Sequence, residues 1–305
     1  MILSAIGRNI SIDTIVACQS EQDGRVVLPF APLSALLDRC SQSEVELRLH
    51  STGEVKLDSS DLTANLRQTD VDNWPMMKMD DSRLAILKDV EAQRLSTVAS
   101  AASKDPQRPI LNGVHLANGI VDSTDTFRAV RSNVPTWDDH VVLPLQAIEA
   151  AEPSASLAIS FDGALVELQS ALTTVRSAII SGTFPDLSRY FEEPIIGNVT
   201  MDRVEFMESV KSAAALGPSF IAIQLNGNKV QISSESSEFG KVETRADGRG
   251  NLQGIHYFTG ESLLATLQCS TDDVVVLEFT AQDYFLVRCS EFEQLLMVRK
   301  LGSTG

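Results

Sequence analysis

Hydrophobic and polar residues follow a pattern in this chain that recurs after about 115 residues. An apolar tetrapeptide, Val26-Val27-Leu28-Pro29, precedes leucines at helical spacing. It returns as Val141-Val142-Leu143-Pro144, and the two prolines lie 115 residues apart. Solenoid repeats have periods of roughly 20–50 residues, so a period this long indicates a domain duplicated within the chain.

Each copy of the tetrapeptide predicts the same series of elements. The apolar residues form a short strand, Pro29 ends it, and apolar positions at i, i+3 and i+4 then predict a short helix. Three alternating strands joined by hairpins follow. The predicted strands of the first copy are 26–28, 45–49, 55–57 and 62–66, and those of the second copy are 141–143, 157–161, 165–168 and 173–180. The second helix covers Leu145–Ala151.

A second kind of unit begins with a longer helix and also recurs. A helix over 89–103 precedes strands at 110–116, 119–122 and 126–134, and Asn118-Gly119 predicts a tight hairpin turn. Val204 repeats Val90 after 114 residues, and Ile255–Phe258 is a degenerate third copy of the tetrapeptide. The chain is therefore five half-domain units, one alone and then two pairs.

One such unit cannot bury its apolar face alone, so paired units must pack helices on sheets. We therefore predict an α+β protein of tandem domains with antiparallel sheets. The predicted boundaries are 1–81 for a partial first domain with the second half-unit only, 82–197 for a middle domain and 198–305 for a C-terminal domain. Three complete domains at this period would need about 345 residues.

Composition narrows the class of protein. The chain has 43% hydrophobic residues, enough for ordinary cores, but no apolar run of about 18 residues, so we expect no membrane association. The N-terminus lacks the features of a signal peptide. Four cysteines without C-x-x-C spacing, and four histidines far from them, predict a reduced cytoplasmic protein with no metal site and no cofactor. The net charge of −16 argues against a broad basic face for DNA.

Four segments resemble one known family, in order and at the right spacing. They are Arg108–Val114, Ser123–Val130, Gly182–Tyr190 with its Phe-Pro-Asp motif, and Leu295–Leu301. Together with the internal period they resemble the bacterial sliding clamp, the beta subunit of DNA polymerase III. The chain looks like an N-terminally shortened member, because the first half-unit of the first domain is missing. Thr126-Phe127 also stands where the family has glycine-histidine, and the C-terminal motif lacks its proline.

The resemblance implies a fold and a mechanism. Family members are clamp-fold domains with helices inside and sheets outside, and they form a head-to-tail homodimeric ring that double-stranded DNA threads without sequence-specific contacts. A few cations that face the hole of the ring would then suffice to contact the DNA phosphates, despite the negative net charge of the chain. The candidate DNA-facing residues are Lys88, Arg94, Lys104, Arg108, Arg203 and Lys211. The alternative is that these are ordinary charges on solvated helices.

The family also binds short apolar motifs of DNA polymerase and clamp-loader subunits beside its C-terminal strand. An apolar groove with a flexible methionine suits varied partner side chains. The matching positions are Leu111, Thr124, Phe127, Arg128, Ala129, Pro185, Arg189, Tyr190, Leu295, Met297 and Arg299. Plain core packing is the alternative for Leu111, Ala129 and Leu295.

The expected function is therefore a non-catalytic sliding clamp that encircles duplex DNA and tethers the replicative polymerase for processivity. The sequence contains no P-loop, no G-x-S-x-G, no metal-ligand spacing and no paired nucleophile. The first alternative is a clamp-like module that binds clamp-interacting peptides without closing on DNA. The second is an unrelated enzyme on a duplicated α+β fold.

Overall fold

The structure is a computed structural model of the 305-residue chain. It describes residues 1–41, 44–69, 71–72, 74–79, 83–87, 89–134, 137, 139–151, 157–215, 217 and 220–300, with the backbone alone at 83–87 and 89–90. We call residues 1–79 the first region. The candidate DNA-facing residue Lys88 and the end of the C-terminal motif at Leu301 lie outside the described residues.

From residue 30 onward the elements follow the predicted order of half-domain units, whereas two strands precede them that a second half-unit alone would not contain. The first region contains β1 Ile2–Ile6, β2 Ile10–Ile15, α1 Phe30–Leu37, β3 Glu46–Leu49, β4 Glu54–Asp58 and β5 Thr63–Arg67. Next come β6 Arg83–Leu87, α2 Asp89–Ala99, a 3-10 turn Pro109–Leu111, β7 Gly113–Ala117, β8 Ile120–Thr124 and β9 Arg128–Asn133. They are followed by β10 Val141–Pro144, α3 Leu145–Ala151, β11 Leu157–Phe161, β12 Leu165–Gln169 and β13 Thr173–Ala178.

The last part of the chain repeats this series. A short helix, α4 Ser188–Phe191, precedes β14 Ile195–Asp202, α5 Arg203–Ala214, β15 Phe220–Asn226, β16 Lys229–Ser236 and β17 Gly240–Gly250. The chain then forms β18 Ile255–Thr259, α6 Gly260–Cys269, β19 Val274–Thr280, β20 Tyr284–Arg288 and β21 Glu293–Met297. The observed elements are an α+β fold, as predicted.

The strands form three antiparallel sheets, two of which cross the predicted domain boundaries. A six-stranded sheet has the order β1-β2-β13-β12-β11-β6, and a twelve-stranded sheet has the order β10-β7-β8-β9-β21-β20-β19-β14-β17-β16-β15-β18. The strands β3-β4-β5 form a separate sheet. The pairs β2–β13 and β9–β21 therefore join one half-domain unit to a unit of the next segment.

One backbone hydrogen bond occurs three times at equivalent places. In each case the acceptor is a backbone carbonyl within the repeated apolar segment, at Val27, Val142 or Tyr257. The donors are the backbone N–H groups of Thr69, Ile180 and Arg299, at 2.8, 3.0 and 2.7 Å. The three copies of the apolar segment are therefore equivalent in structure as well as in sequence.

The strand predicted at 26–28 is wrong. Residues 26–29 lie in no strand, whereas the equivalent residues form β10 in the second copy and β18 in the third. Strand β10 pairs with β7, and β18 pairs with β15. The described residues of the first region contain no strand equivalent to β7, so Val26–Leu28 has no ladder to join.

Two large cores hold the rest of the chain. One uses apolar residues of α2, α3 and strands β7–β13, and the other uses residues from Val199 to Leu296. Both α2 and α3 pack against one face of their strands. Among the described residues of the first region, Val55 and Leu57 are the buried apolar residues, and α1 has no buried residue. The domain boundaries themselves remain a prediction.

Several local predictions are confirmed, and others are wrong. Asn118 and Gly119 both have positive φ, at 50° and 75°, as a tight Asn-Gly hairpin turn requires. The apolar patch at the N-terminus forms β1, which the sequence pattern did not predict, and β14 begins at Ile195 where a connector was expected. Among the described residues no helix is long and apolar enough to cross a membrane, and no three metal-ligating side chains cluster.

Candidate functional site

The candidate site lies where β9 meets β21, across two predicted domains. These strands pair in antiparallel register from Glu293 opposite Arg131 to Leu296 opposite Arg128. The backbone N–H of Met297 then donates to the carbonyl of Phe127 at 2.8 Å. Because side chains alternate along a strand, Ala129 and Leu295 face one side of this sheet and Val130 and Leu296 face the helices.

The segment 182–194 packs on the face opposite the helices. Its apolar residues Phe184, Leu187 and Phe191 are buried against the sheet. They form one cluster with Leu111, Ala129 and Leu295, and Tyr190 packs at its edge. The cluster therefore forms the floor of the candidate site and fixes the segment that carries Pro185 and Arg189.

Two arginines hold this segment on the sheet. Arg131 forms a buried ion pair with Asp122 through two hydrogen bonds of 2.7 and 3.1 Å, and its guanidinium stacks 4.6 Å from the centre of the Phe191 ring. Arg288 donates to the carbonyl of Phe191 at 2.7 Å and pairs with Glu278. Removing one partner of a buried pair is strongly destabilising, so these contacts keep the segment in place.

An exposed apolar patch lies above this floor. Phe127 is 44% exposed and Met297 is 37% exposed. The guanidinium of Arg299 lies 4.0 Å above the centre of the Phe127 ring. A flexible thioether beside an aromatic ring with a stacked cation can contact apolar and acidic groups of a partner together.

A second arginine–aromatic contact borders the patch. Arg189 donates to the hydroxyl of Tyr190 at 2.7 Å and stacks on its ring at 4.7 Å. The hydroxyl of Tyr284 donates to the Tyr190 carbonyl at 2.7 Å, and burial raises the pKa of Tyr284 above its ordinary value. Tyr284 therefore stays protonated and keeps donating this bond at neutral pH.

The turn before Phe127 is strained. Thr126 has φ of 78°, in the left-handed region that is unfavourable for a β-branched residue. Its backbone N–H donates to Thr124 Oγ1 at 3.0 Å, and Asp125 accepts from the N–H groups of Phe127 and Arg128, both at 2.8 Å. These hydrogen bonds hold the strained turn and fix where Phe127 points.

A histidine pair supports the floor from the side. The ring of His115 stacks on Phe184, with 4.9 Å between ring centres, and lies 5.8 Å from the ring of His140. Burial is the main cause that lowers the pKa of His115 below its ordinary value, opposed by Asp122. His115 is therefore neutral at physiological pH and packs as an aromatic ring.

The predicted peptide-site residues mostly come together here. Leu111, Ala129, Leu295 and Tyr190 share the floor cluster, and Pro185 is exposed next to buried Phe184. Arg128 differs from the rest. It is 7% exposed and donates to the Ser100 carbonyl at the end of α2, on the helix side of the sheet.

The described residues among the predicted DNA-facing cations do not form one cluster, unlike the predicted peptide-site residues. Arg94 pairs with Glu291 at 3.5 Å, and Lys211 pairs with Glu208 at 2.7 Å. Arg203 donates to the Asp272 carbonyl, and Lys104 is exposed after α2. Arg108 donates to Thr126 Oγ1 at 3.1 Å, which brings it to the apolar patch rather than to a helix face.

The exposed helix surface carries mostly acidic charge. Among the described side chains of the six helices, the exposed carboxylates are Glu149, Glu205, Glu208 and Glu261. The exposed cations of these helices, within the same described set, are Lys211 and Arg189, and Arg189 lies on α4, which packs on the opposite face of the sheet. The helix layer is therefore not a basic surface.

Sequence reasoning missed the residues that build the floor. Phe184, Leu187, Phe191, Tyr284 and the ion pair of Arg131 with Asp122 all support the patch. The spacing of Phe184, Leu187 and Phe191 is close to helical, and that signal was available in the segment. The residues that this segment contacts across the sheet could not be read from the sequence, because β9 and β21 are far apart in it.

The tandem helix-on-sheet units and the strand pairs between them define the sliding-clamp fold. Solved structures agree with this assignment. The DNA polymerase III beta subunit of Thermotoga maritima superimposes with a TM-score of 0.82 at 17% identity, covering 99% of this chain and 88% of that one. A sliding clamp from Bartonella birtlesii, bound to griselimycin, gives a TM-score of 0.84 at 14% identity, covering 98% and 88%.

The sequence is also similar to curated sliding clamps. It is 24% identical over 285 residues to the beta sliding clamp of Staphylococcus aureus, covering 85% of this chain and 74% of that protein. No family model matches the sequence. The resemblance to the bacterial DNA polymerase III beta subunit is thus confirmed for sequence and fold.

We predict that Thr126→Gly stabilises the protein. Glycine adopts positive φ without strain, whereas an L-residue there costs about 1–2 kcal/mol; the extra freedom of glycine in the unfolded chain offsets part of this. The free energy of unfolding, measured by urea titration, should rise by about 0.5–1 kcal/mol. Thr200→Gly, in the ordinary extended backbone of β14, is the matched control and should lower it. A loss of stability in Thr126→Gly would contradict the strained turn.

Proposed function

We propose that this chain is a DNA sliding clamp, a non-catalytic subunit that encircles duplex DNA in the cytoplasm and tethers a replicative polymerase. The polymerase and the clamp loader would bind at the patch around Phe127 and Met297 through short apolar motifs. The observation that carries this proposal is the strand seam between consecutive segments. The seam occurs twice within one chain, and unpaired strand edges remain that could form it again with a second copy.

The two internal seams have the same construction. In each, the last strand of a second half-unit pairs with the last strand of a preceding first half-unit: β13 pairs with β2, and β21 pairs with β9. By this equivalence β5 should pair with a strand like β2 and β9. The corresponding strand of the last segment is β17.

Both strands have an edge available for pairing. In the described chain β5 pairs with β4 on one side and with no strand on the other. Strand β17 pairs with β16 at Gly240–Asp247 and with β14 at Gly248–Gly250, so within the described chain the second edge of Gly240–Asp247 is unpaired. An unpaired row of backbone groups is a template for another strand.

Backbone hydrogen bonding shows which groups face outward. Ser59 N–H bonds to the Leu62 carbonyl, and Gln68 N–H bonds to the Gly53 carbonyl. Because antiparallel pairs alternate, Thr63, Asn65 and Arg67 direct their backbone groups away from β4. On β17 the solvent-exposed face carries alternating charges at Lys241, Glu243, Arg245 and Asp247. Two such seams, each joining β5 of one copy to β17 of the other, would close a head-to-tail ring.

The charge of the helix layer supports a second candidate function. A clamp would place these helices toward DNA, yet Glu149, Glu205, Glu208 and Glu261 are exposed there and Arg94 and Lys211 are paired. Weak phosphate contacts depend on free cations. The alternative is therefore a clamp-like module that binds peptides at the patch without holding DNA.

The peptide site is common to both candidates. An exposed aromatic ring and methionine lie on a rigid apolar floor, an arrangement that suits an anchor residue of a short motif. The Bartonella clamp bound to griselimycin is an example of a protein of this fold that binds a ligand.

We predict that the chain dimerises through the edge of β5. Sedimentation velocity at micromolar concentration should show a dimer. Asn65→Pro removes an outward N–H group without removing a bond to β4, so it should shift the protein to monomer. Asn65→Ala keeps that N–H group and should remain dimeric.

The result that would contradict this seam is a monomer at tens of micromolar wild-type protein. A dimer that is unchanged in Asn65→Pro would equally exclude β5 as the contact.

We also predict that Met297→Asp abolishes peptide binding. A buried carboxylate in the apolar contact would weaken the affinity for a fluorescent C-terminal peptide of a bacterial replicative polymerase by at least about tenfold, or 1.4 kcal/mol. Fluorescence anisotropy measures this change. Met76→Asp is the control, because Met76 is 71% exposed and lies in the connector. Unchanged affinity in Met297→Asp would show that the site is misassigned.

A further inference from the structure

The apolar patch at the seam between β9 and β21 carries a cation that an apolar peptide alone would not use. The guanidinium of Arg299 lies 4.0 Å above the centre of the Phe127 ring, and its backbone N–H donates to the Tyr257 carbonyl at 2.7 Å. Phe127 stands where the family motif has histidine, so the ring of this stacked pair is a departure from the family. Arg299 is thus held, by backbone and side chain, beside the exposed Phe127 and Met297.

Arg299 has no acidic partner within the described part of the chain. The next residue, Lys300, pairs with Asp283 at 3.2 Å, whereas no ion pair of the described residues uses Arg299. The chain holds 41 acidic and 25 basic residues, so a shortage of carboxylates does not explain this. The half-buried guanidinium therefore keeps N–H donors available for a ligand.

Two further arginines border the patch. Arg108 donates to Thr126 Oγ1 at 3.1 Å, next to Phe127, and has an aspartate 3.9 Å away. Arg189 stacks on the neighbouring tyrosine ring at 4.7 Å. These charges border the exposed atoms of Phe127 and Met297, and the net charge of −16 disfavours nucleic acid as their ligand. A peptide that is both apolar and acidic is the ligand that this surface fits.

The chain geometry indicates where the carboxylate of such a peptide would lie. Met297 and Arg299 are two residues apart, so their Cα atoms are separated by at most about 7 Å. An extended peptide places its residues i and i+2 on one face at a similar spacing. An apolar anchor residue that contacts Met297 and Phe127 would therefore bring a side chain two positions away to Arg299.

We propose that Arg299 selects, among apolar peptide motifs, those that carry a glutamate or aspartate two residues from the apolar anchor. The carboxylate accepts hydrogen bonds from the edge of the guanidinium, while the face of the guanidinium stays stacked on Phe127. A neutral motif would cover Arg299 without pairing it, which weakens binding. This inference rests on the proposed peptide site and goes beyond it, because it names the charge that the partner must supply.

The test compares two forms of one fluorescent peptide on the full chain. The host is the polymerase peptide of the Met297→Asp experiment, with Glu or Gln two residues before its apolar residues. A second pair has the same change two residues after them, which covers both peptide directions. Fluorescence anisotropy at about 50 mM salt should show at least about threefold higher affinity for the Glu form in one pair. The preference should shrink at about 0.5 M salt, because salt screens the ion pair.

Two protein variants separate direct contact from net charge. Arg299→Gln should abolish the preference, so that both forms of the peptide bind with equal affinity. Lys300→Gln is the matched control, because it removes the same charge one residue away from a side chain that pairs with Asp283. It should keep the preference. The thermal midpoint of each variant checks that it is folded.

Four results would overturn the proposal. Equal affinity for the Glu and Gln forms in both pairs would do so while leaving the peptide site intact, and so would a preference that survives Arg299→Gln. Displacement of the bound peptide by a single-stranded DNA oligonucleotide would show that the patch binds phosphate instead. If no form of the peptide binds, the proposed peptide site itself is wrong, and the selectivity with it.

Discussion

The antiparallel pairing of β9 with β21 is the contact on which the rest of the structure depends. It joins strands about 165 residues apart in sequence into one twelve-stranded sheet. The helices pack on one face of that sheet, and segment 182–194 packs on the other. The apolar patch of Phe127 and Met297 exists only because this seam brings the two residues within one backbone hydrogen bond.

The same seam explains how one chain could form part of a larger assembly. It appears inside the chain as β2–β13 and β9–β21, and the unpaired edges of β5 and β17 could form it between copies. A strand edge that is neither paired nor covered can pair with a strand of another chain, so each such edge marks a candidate interface.

The sequence predicted the repeat, the helices of the repeated units and most strands, because these follow from local periodicity, whereas α4 lies in a segment that was read as a loop. The helix at Leu145–Ala151 matches the prediction residue for residue, and the Asn118-Gly119 turn has the expected backbone. The strand predicted at Val26–Leu28 was wrong because a strand also needs a second strand to pair with. No local sequence pattern shows whether such a partner is present. The floor under the patch was missed for the same reason, since Phe184 and Tyr284 meet only in the folded chain. The family resemblance supplied the patch residues, but Arg128 lies on the helix side of the sheet.

The most direct test of the account is topological retention on DNA. Dimers reassembled from monomers in the presence of a relaxed circular plasmid would be separated by gel filtration in high salt, which screens phosphate contacts. The account predicts that wild-type protein elutes with the circle and is released when a restriction enzyme linearises it, whereas Asn65→Pro is not retained. Equal retention on circular and linear DNA, or none on the circle, would contradict a closed ring and favour the peptide-binding module.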